Sequence, residues 1–204
     1  MFWRVDENVG VKMKILFINA CREEGSRTKT LADRVLSRMS GEITEVALNK
    51  EKITPVFDDV LSMRDRLIEQ GRLDDEMFGY ARQFADADEI VIAAPFWDLS
   101  FPSALKAYFE VINVVGITFS YSTDGTPVGH CRAKRLIYVS SAGGYTGEDA
   151  FGFGYVRALC ESLYSIKNTV RFCAEGLDID GADVDEILKR EIKKIDNYFD
   201  SEVI

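Results

Sequence analysis

The sequence has one histidine, His130, four prolines and four cysteines in 204 residues, and these shortages remove whole classes of chemistry. One histidine leaves no material for a histidine-rich metal centre and little for a Ser-His-Asp triad, so no metal site is expected. Cys21, Cys131, Cys160 and Cys173 are scattered and form no CxxC pair. That spacing argues against a zinc site or a disulfide framework and suits reduced thiols in the cytoplasm. No apolar run approaches the roughly 18 residues of a membrane span. Met1 to Lys12 lack the apolar stretch of a secretory signal and read as a short extension (residues 1–12), with Met13 an equally sensible start. Basic charge is also scarce: 25 Lys and Arg stand against 34 Asp and Glu, a net charge of −9. This balance repels nucleic acid and anionic lipid, leaving neither as a general partner. An anionic ligand must then be held by local donors: helix N-termini, backbone amides and a few arginines.

What is present is an alternation of apolar strands with helical periodicity. A hydrophobic fraction of 47% with 29% charged residues reads as one globular domain over residues 13–204. Lys14 to Asn19 is a continuous apolar run, as expected of a parallel strand covered on both faces. Leu31, Val35, Leu36 and Met39 then recur at helical spacing. Further strands are expected at Ile43–Leu48, Glu89–Ala94, Arg135–Ser140 and Val170–Ala174. Helical material is expected through about Phe84, from Pro102 to about Val115, from about Asp149 to Tyr164, and from Val184 to Phe199. Gly116 to Arg132 reads as a hairpin excursion turning at Asp124-Gly125, with His130 a surface or hairpin residue. Five strands alternating with helices imply an α/β, doubly wound five-stranded parallel sheet with helices on both faces. Ligands of such sheets sit at the carboxyl ends of the strands near the switch point, which singles out the loops after strands one, three and four.

Each loop carries a chemical reading beside a plainer one. After the first strand, Ser26, Arg27 and Thr28 open a helix, where free amides, hydroxyls and a guanidinium suit a phosphate monoester; Ser26 is equally readable as an ordinary N-cap. Without GxxxxGK[ST] or GxGxxG, a mononucleotide phosphate is favoured over a triphosphate or dinucleotide. After the third strand, Pro95 and Pro102 bracket a loop presenting Phe96, Trp97 and Phe101 beside backbone amides. An isoalloxazine ring needs such flat apolar walls and donors for its polar edge, and core packing is expected of at least one of these aromatics. After the fourth strand, Ser141-Ala142-Gly143-Gly144 allows a close backbone approach to a planar ligand, or forms an ordinary turn. Phe151, Phe153 and Tyr155, among glycines 152 and 154, divide between covering the ligand from a partner subunit and simple packing.

Taken in order, these loops resemble the FMN-dependent NAD(P)H azoreductase and quinone reductase family. The match rests on Ser26-Arg27-Thr28-x-x-Leu31, Ala94-Pro95-Phe96-Trp97 with Pro102-x-x-Leu105-Lys106-x-Tyr108-Phe109, Gly116-Ile117-Thr118-Phe119-x-Tyr121, Ser140 to Gly144, and Ala174-Glu175-Gly176. The resemblance implies a flavodoxin-like homodimer with one FMN per subunit at the interface and NAD(P)H as co-substrate. It implies phosphate contacts from Cys21, Ser26, Arg27 and Thr28, and a ring lined by Pro95, Phe96, Trp97, Asp98 and Leu99. It places Ser141, Ala142, Gly143 and Gly144 at the ring's polar edge, with Phe119 walling the pocket for a small-molecule electron acceptor; Tyr145 is a candidate donor to that acceptor. Cys21 replaces a common serine, and Asp98 stands where asparagine is usual.

The expected activity is ping-pong hydride transfer from NAD(P)H through FMN to a quinone, azo or similar electrophilic acceptor. The cofactor carries the chemistry and no protein acid or base is assigned, in keeping with the scarcity of histidine. A flavodoxin-type electron carrier and an FMN-bound redox sensor with a protein partner are the competing readings, and the aromatic Gly116–Arg132 excursion favours a walled substrate site over the carrier. A phosphoacceptor receiver domain would need acidic residues where Asn19-Ala20-Cys21 and Ala93-Ala94-Pro95 stand.

Overall fold

Short runs of aliphatic residues become strands in the computed structural model, which describes residues 12–22, 24–51 and 53–202. In chain order they are β1 (Lys14–Asn19), β2 (Glu42–Ala47), β3 (Glu89–Ala93), β4 (Phe119–Tyr121), β5 (Pro127–Gly129), β6 (Arg135–Ser141) and β7 (Asn168–Ala174). Five of them form one all-parallel sheet in the order β2-β1-β3-β6-β7, with Ile18 facing Ile92 and Ile92 facing Tyr138. The helices are α1 (Arg27–Ser37), α2 (Asp58–Glu69), α3 (Gly79–Asp86), α4 (Ser103–Ile112), α5 (Phe153–Leu159) and α6 (Val184–Ser201). This is the flavodoxin-like strand order, in which the direction of winding reverses between β1 and β3.

Alternation along β1 sorts the two faces of the core. Ile15 and Phe17 pack with Leu31 and Val35 of α1 and Ile195 and Phe199 of α6. Leu16 and Ile18 join Leu67, Phe84, Leu105 and Tyr108 from α2, α3 and α4. Each such side chain, fully buried, is worth about 1.5–3 kcal/mol, so a one-residue slip of β1 would forfeit both layers at once. Among the described residues, no helix is long and apolar enough to cross a membrane. Of the expected extension, residues 1–11 lie outside the described residues.

Several boundaries move for local reasons. The helical stretch expected through Phe84 divides at Gly71, whose φ of 69° ends α2, and resumes after a short 3-10 turn at Glu76–Phe78. α4 stops at Ile112, where the buried Thr118 hydroxyl donates to the Ile112 carbonyl at 2.7 Å. α5 begins at Phe153 rather than Asp149, because Asp149 is left-handed at φ 46° and Gly152 has the non-helical pair φ −98°, ψ −96°. It runs into a π turn, Cys160–Tyr164, closed by Ser165 at φ 61°. The expected hairpin is present as antiparallel β4 and β5, and Asp124 at its turn, accepting from the Ser122 hydroxyl and the Thr126 amide, is held down to about 2. A side chain at Gly129 would collide with the Tyr164 backbone, so that glycine seats the hairpin on the π turn.

Candidate functional site

The carboxyl ends of β1, β3, β6 and β7 converge on a cavity of about 380 Å³. β1 ends at Asn19, whose side-chain oxygen accepts from the Cys21 amide at 3.0 Å and turns the chain upward. Ser26 is the N-cap of α1, accepting from the Lys29 amide at 3.2 Å. Capping uses the hydroxyl oxygen as an acceptor and leaves its O–H to donate, so the cap and a phosphate contact are compatible. The first-turn amides of Arg27 and Thr28 have no acceptor within the helix, and no acidic residue occupies that turn. The Thr28 hydroxyl is 2.6 Å from that of Ser141, tying the anion loop to the end of β6.

The loop after β3 is a tight hairpin. Trp97 and Ser100 exchange both backbone hydrogen bonds, at 2.9 and 2.8 Å, around Asp98 and Leu99. Those two residues have φ of 50° and 64°, the two-residue turn that favours Asn-Gly. A left-handed leucine costs about 1–2 kcal/mol, and Leu99 is 69% exposed, so packing returns little. Leu99→Gly is therefore expected to raise stability by about 1 kcal/mol net of the entropy of glycine, read as a higher urea midpoint. Phe101 is the aromatic that enters the core, its ring meeting Phe109 edge-on at 5.9 Å and Tyr155 at a tilt at 5.7 Å between centroids. Trp97 stays half exposed beside the cavity.

The backbone donors are distributed unevenly. The Phe96 amide donates to Ser141 at 3.0 Å and the Ala142 amide to Ala174 at 2.9 Å. Among the described residues, the amides of Gly143 and Gly144 take no backbone acceptor. These two are donors left for a ligand, beside the apolar wall of Pro95, Phe96 and Trp97. The donor set fits FMN: a dipole end with hydroxyls and a guanidinium for a phosphate, flat apolar surface for a ring, and two free amides for its polar edge.

The structure brings Ser26, Arg27, Thr28, Pro95, Phe96 and Trp97 into this cavity with Ser141, Ala142 and Gly143. Gly144 adjoins it, its carbonyl taken by the Gly176 amide at 3.0 Å. Cys21 is buried beneath the anion loop, where burial raises its thiol. Cys21 and Asp98 line a neighbouring cavity of about 550 Å³ that shares Arg22 and Trp97 with the first. Leu99 sits at the exposed tip of the turn. Tyr145 lies over Gly176 and lines an outer cavity by β7, whereas Phe119 is buried in the hairpin against Tyr121 at 5.5 Å. Phe153 and Tyr155 pack inward, and Phe151 is 69% exposed, its carbonyl accepting from the Ser100 hydroxyl at 2.7 Å.

Arg22, Gly25, Leu177 and Asp178 also line the cavity and lie outside the site residues expected from the sequence. The last two follow β7, the edge strand, whose loop the sequence marks only by its resemblance to the family. His130 is exposed on the hairpin, its Nε2 2.9 Å from the Ser120 hydroxyl. Burial pushes the thiols of Cys131, Cys160 and Cys173 up to about 12, so all three are neutral at physiological pH.

A family model described as having a flavodoxin-like fold matches residues 13–199. The FMN-dependent NADH:quinone oxidoreductase 2 of Clostridium acetobutylicum is 38% identical over 193 residues, covering 89% of this chain and 95% of the relative. The FMN-dependent NADH:quinone oxidoreductase of Clostridium beijerinckii is 36% identical with the same coverage. Among solved structures, an azoreductase from Bacillus anthracis superposes with a TM-score of 0.80 at 22% identity, covering 93% of this chain and 99% of its own. An FMN-dependent NADH-azoreductase from Bacillus anthracis, solved in complex with FMN, gives 0.78 at 23% identity, covering 93% and 98%. At those identities the structural likeness establishes the fold.

Proposed function

Because the chain belongs to the flavodoxin-like family of FMN-dependent NADH:quinone oxidoreductases, we propose that it holds FMN in the cavity at the strand ends and serves hydride transfer from NAD(P)H to a quinone, azo or similar electrophilic acceptor. The observation that carries this is one cavity in which the positive N-terminus of α1, a half-exposed tryptophan and the free amide of Gly143 meet, with the free amide of Gly144 adjoining.

In this assignment Ser26, Arg27 and Thr28 hold the phosphate, with Cys21 packed beneath them. Pro95, Phe96 and Trp97 lie along the ring, and the Asp98-Leu99 turn closes that side. Ser141, Ala142, Gly143 and Gly144 meet the ring's polar edge, while Phe119 and Tyr145 belong to the acceptor side. When bound, FMN supplies the two-electron hydride chemistry, which is the reason no protein acid or base is needed. The chain's part is to orient the flavin and to keep water from its reactive face.

Exposed Trp97, Leu99, Tyr145 and Phe151 give the ligand end an apolar rim. Such a rim on an acidic chain supports pairing with a second copy, so that residues 13–204 act as one unit of a cytoplasmic homodimer.

The test begins with the visible spectrum of purified protein. Flavin bands released as FMN on denaturation, with NADH oxidation by a quinone giving parallel double-reciprocal lines, are expected. A colourless protein that refuses added FMN ends the proposal, and bound FMN without NADH turnover moves it to the electron carrier. Asp98 adds a smaller effect. Its formal negative charge near the flavin opposes negative charge on reduction, so Asp98→Asn should raise the potential by about 10–30 mV, screened because the turn is exposed. An unchanged potentiometric midpoint would remove Asp98 from the flavin's surroundings.

A further inference from the structure

We infer that Asp178 competes with the flavin phosphate for Arg27, and so sets how strongly the site discriminates FMN from unphosphorylated riboflavin; this rests on the FMN assignment above. Asp178 is the one acidic side chain among the cavity's described lining residues, whose cations are Arg22 and Arg27. Its Oδ1 accepts from Arg27 Nη1 at 2.7 Å. Its Oδ2 lies over the Gly143 α-carbon, so close that a side chain at 143 would collide with it. The carboxylate therefore bridges the anion loop and the glycine loop, the two surfaces a mononucleotide must reach.

Its placement follows from the backbone. The Leu177 amide donates to Ala142 at 3.2 Å and the Asp178 amide to Gly143 at 2.9 Å, which fastens this stretch to the glycine loop. A phosphate monoester carries about −1.5 to −2 charge and three acceptor oxygens, so it can outbid a single carboxylate for Arg27, but by a reduced margin. The Asp178 side chain is 67% exposed and free to swing aside. Riboflavin brings the same ring and ribityl chain without the phosphate, and has no reason to break the ion pair.

The alternative role for Asp178 is to orient Arg27 toward the phosphate, and the two roles predict opposite signs. Asp178→Asn keeps the shape and an oxygen acceptor while removing the charge. FMN and riboflavin would each be titrated into apoprotein, followed by flavin fluorescence, for wild type, Asp178→Asn and Asp178→Ala, with thermal midpoints confirming that each variant is folded. We expect both variants to bind FMN about five- to tenfold more tightly, with riboflavin affinity within about twofold of wild type. Unchanged or weakened FMN binding would overturn the inference in favour of the orienting role. Equal tightening of both flavins would overturn it too, because the effect would then be steric rather than a competition of charges. If wild type binds neither flavin, the FMN assignment itself fails and this inference with it, an outcome distinct from the other two.

Discussion

Arg27→Ala is expected to weaken FMN binding about 100-fold while leaving riboflavin almost untouched, as read by flavin fluorescence titration. A hydrogen bond to a charged group is worth about 1.5–3 kcal/mol, and the upper end applies because a guanidinium offers a phosphate two parallel donors and a full charge. The Asp178 carboxylate, which loses its 2.7 Å ion pair in this variant, is exposed and turns to solvent. A loss of about 2.7 kcal/mol corresponds to about 100-fold. Arg27→Lys should recover part of the loss as a point charge without the planar fork. In an Asp178→Asn background the Arg27→Ala penalty should grow, because there the guanidinium reaches the phosphate without first leaving an ion pair; additive effects would mean that the two side chains do not interact. Equal loss of FMN and riboflavin would show that Arg27 supports the loop rather than the phosphate.

The parts of the molecule that the sequence made legible are those where one physical effect dominates. Continuous apolar runs such as Ile15 to Ile18 can only be strands covered on both faces, and they specified the parallel sheet. Ser26 before a helical pattern marked the start of α1, and Pro95 and Pro102 marked a rigid loop. Competing local effects were harder to see. The left-handed conformations of Asp98, Leu99 and Asp149 are imposed by hairpin closure and tertiary contacts, against the intrinsic preference of those residues. The late start of α5 follows from Asp149 in the same way. Asp178 could not be placed because its role depends on the register of β7 against β6, which brings Ala174 beside Ser141 and so carries the next loop over the glycines. Among the aromatics, hydrophobicity alone could not separate Phe101, which enters the core, from Trp97 and Phe151, which do not.

Beneath the glycine loop lies a buried ion pair whose removal should have the largest effect on stability. Asp149 is only 1% exposed at its side chain, and Arg171 Nε is 3.2 Å from its Oδ2 without the alignment of a hydrogen bond. Arg171 also donates to the Thr146 hydroxyl at 2.6 Å and contacts Glu175 at 3.1 Å, so one guanidinium fastens three points of the chain around residues 146–175. Gly152 is required there, since a side chain would collide with the Asp149 carboxylate. Arg171→Met leaves a carboxylate buried with its desolvation uncompensated, and a loss of about 3–5 kcal/mol is expected in urea unfolding. Adding Asp149→Gly removes the stranded charge and relieves the left-handed φ of 46°, so the double variant should be more stable than Arg171→Met alone. The loop that this pair holds presents the Gly143 and Gly144 amides, so Arg171→Met should weaken FMN and riboflavin by the same factor and speed amide exchange across residues 143–152. That symmetry separates it from Arg27→Ala, which distinguishes the two flavins. A change in stability below about 0.5 kcal/mol, the range of an ordinary surface substitution, would show that the loop is held by its backbone contacts and not by the buried pair.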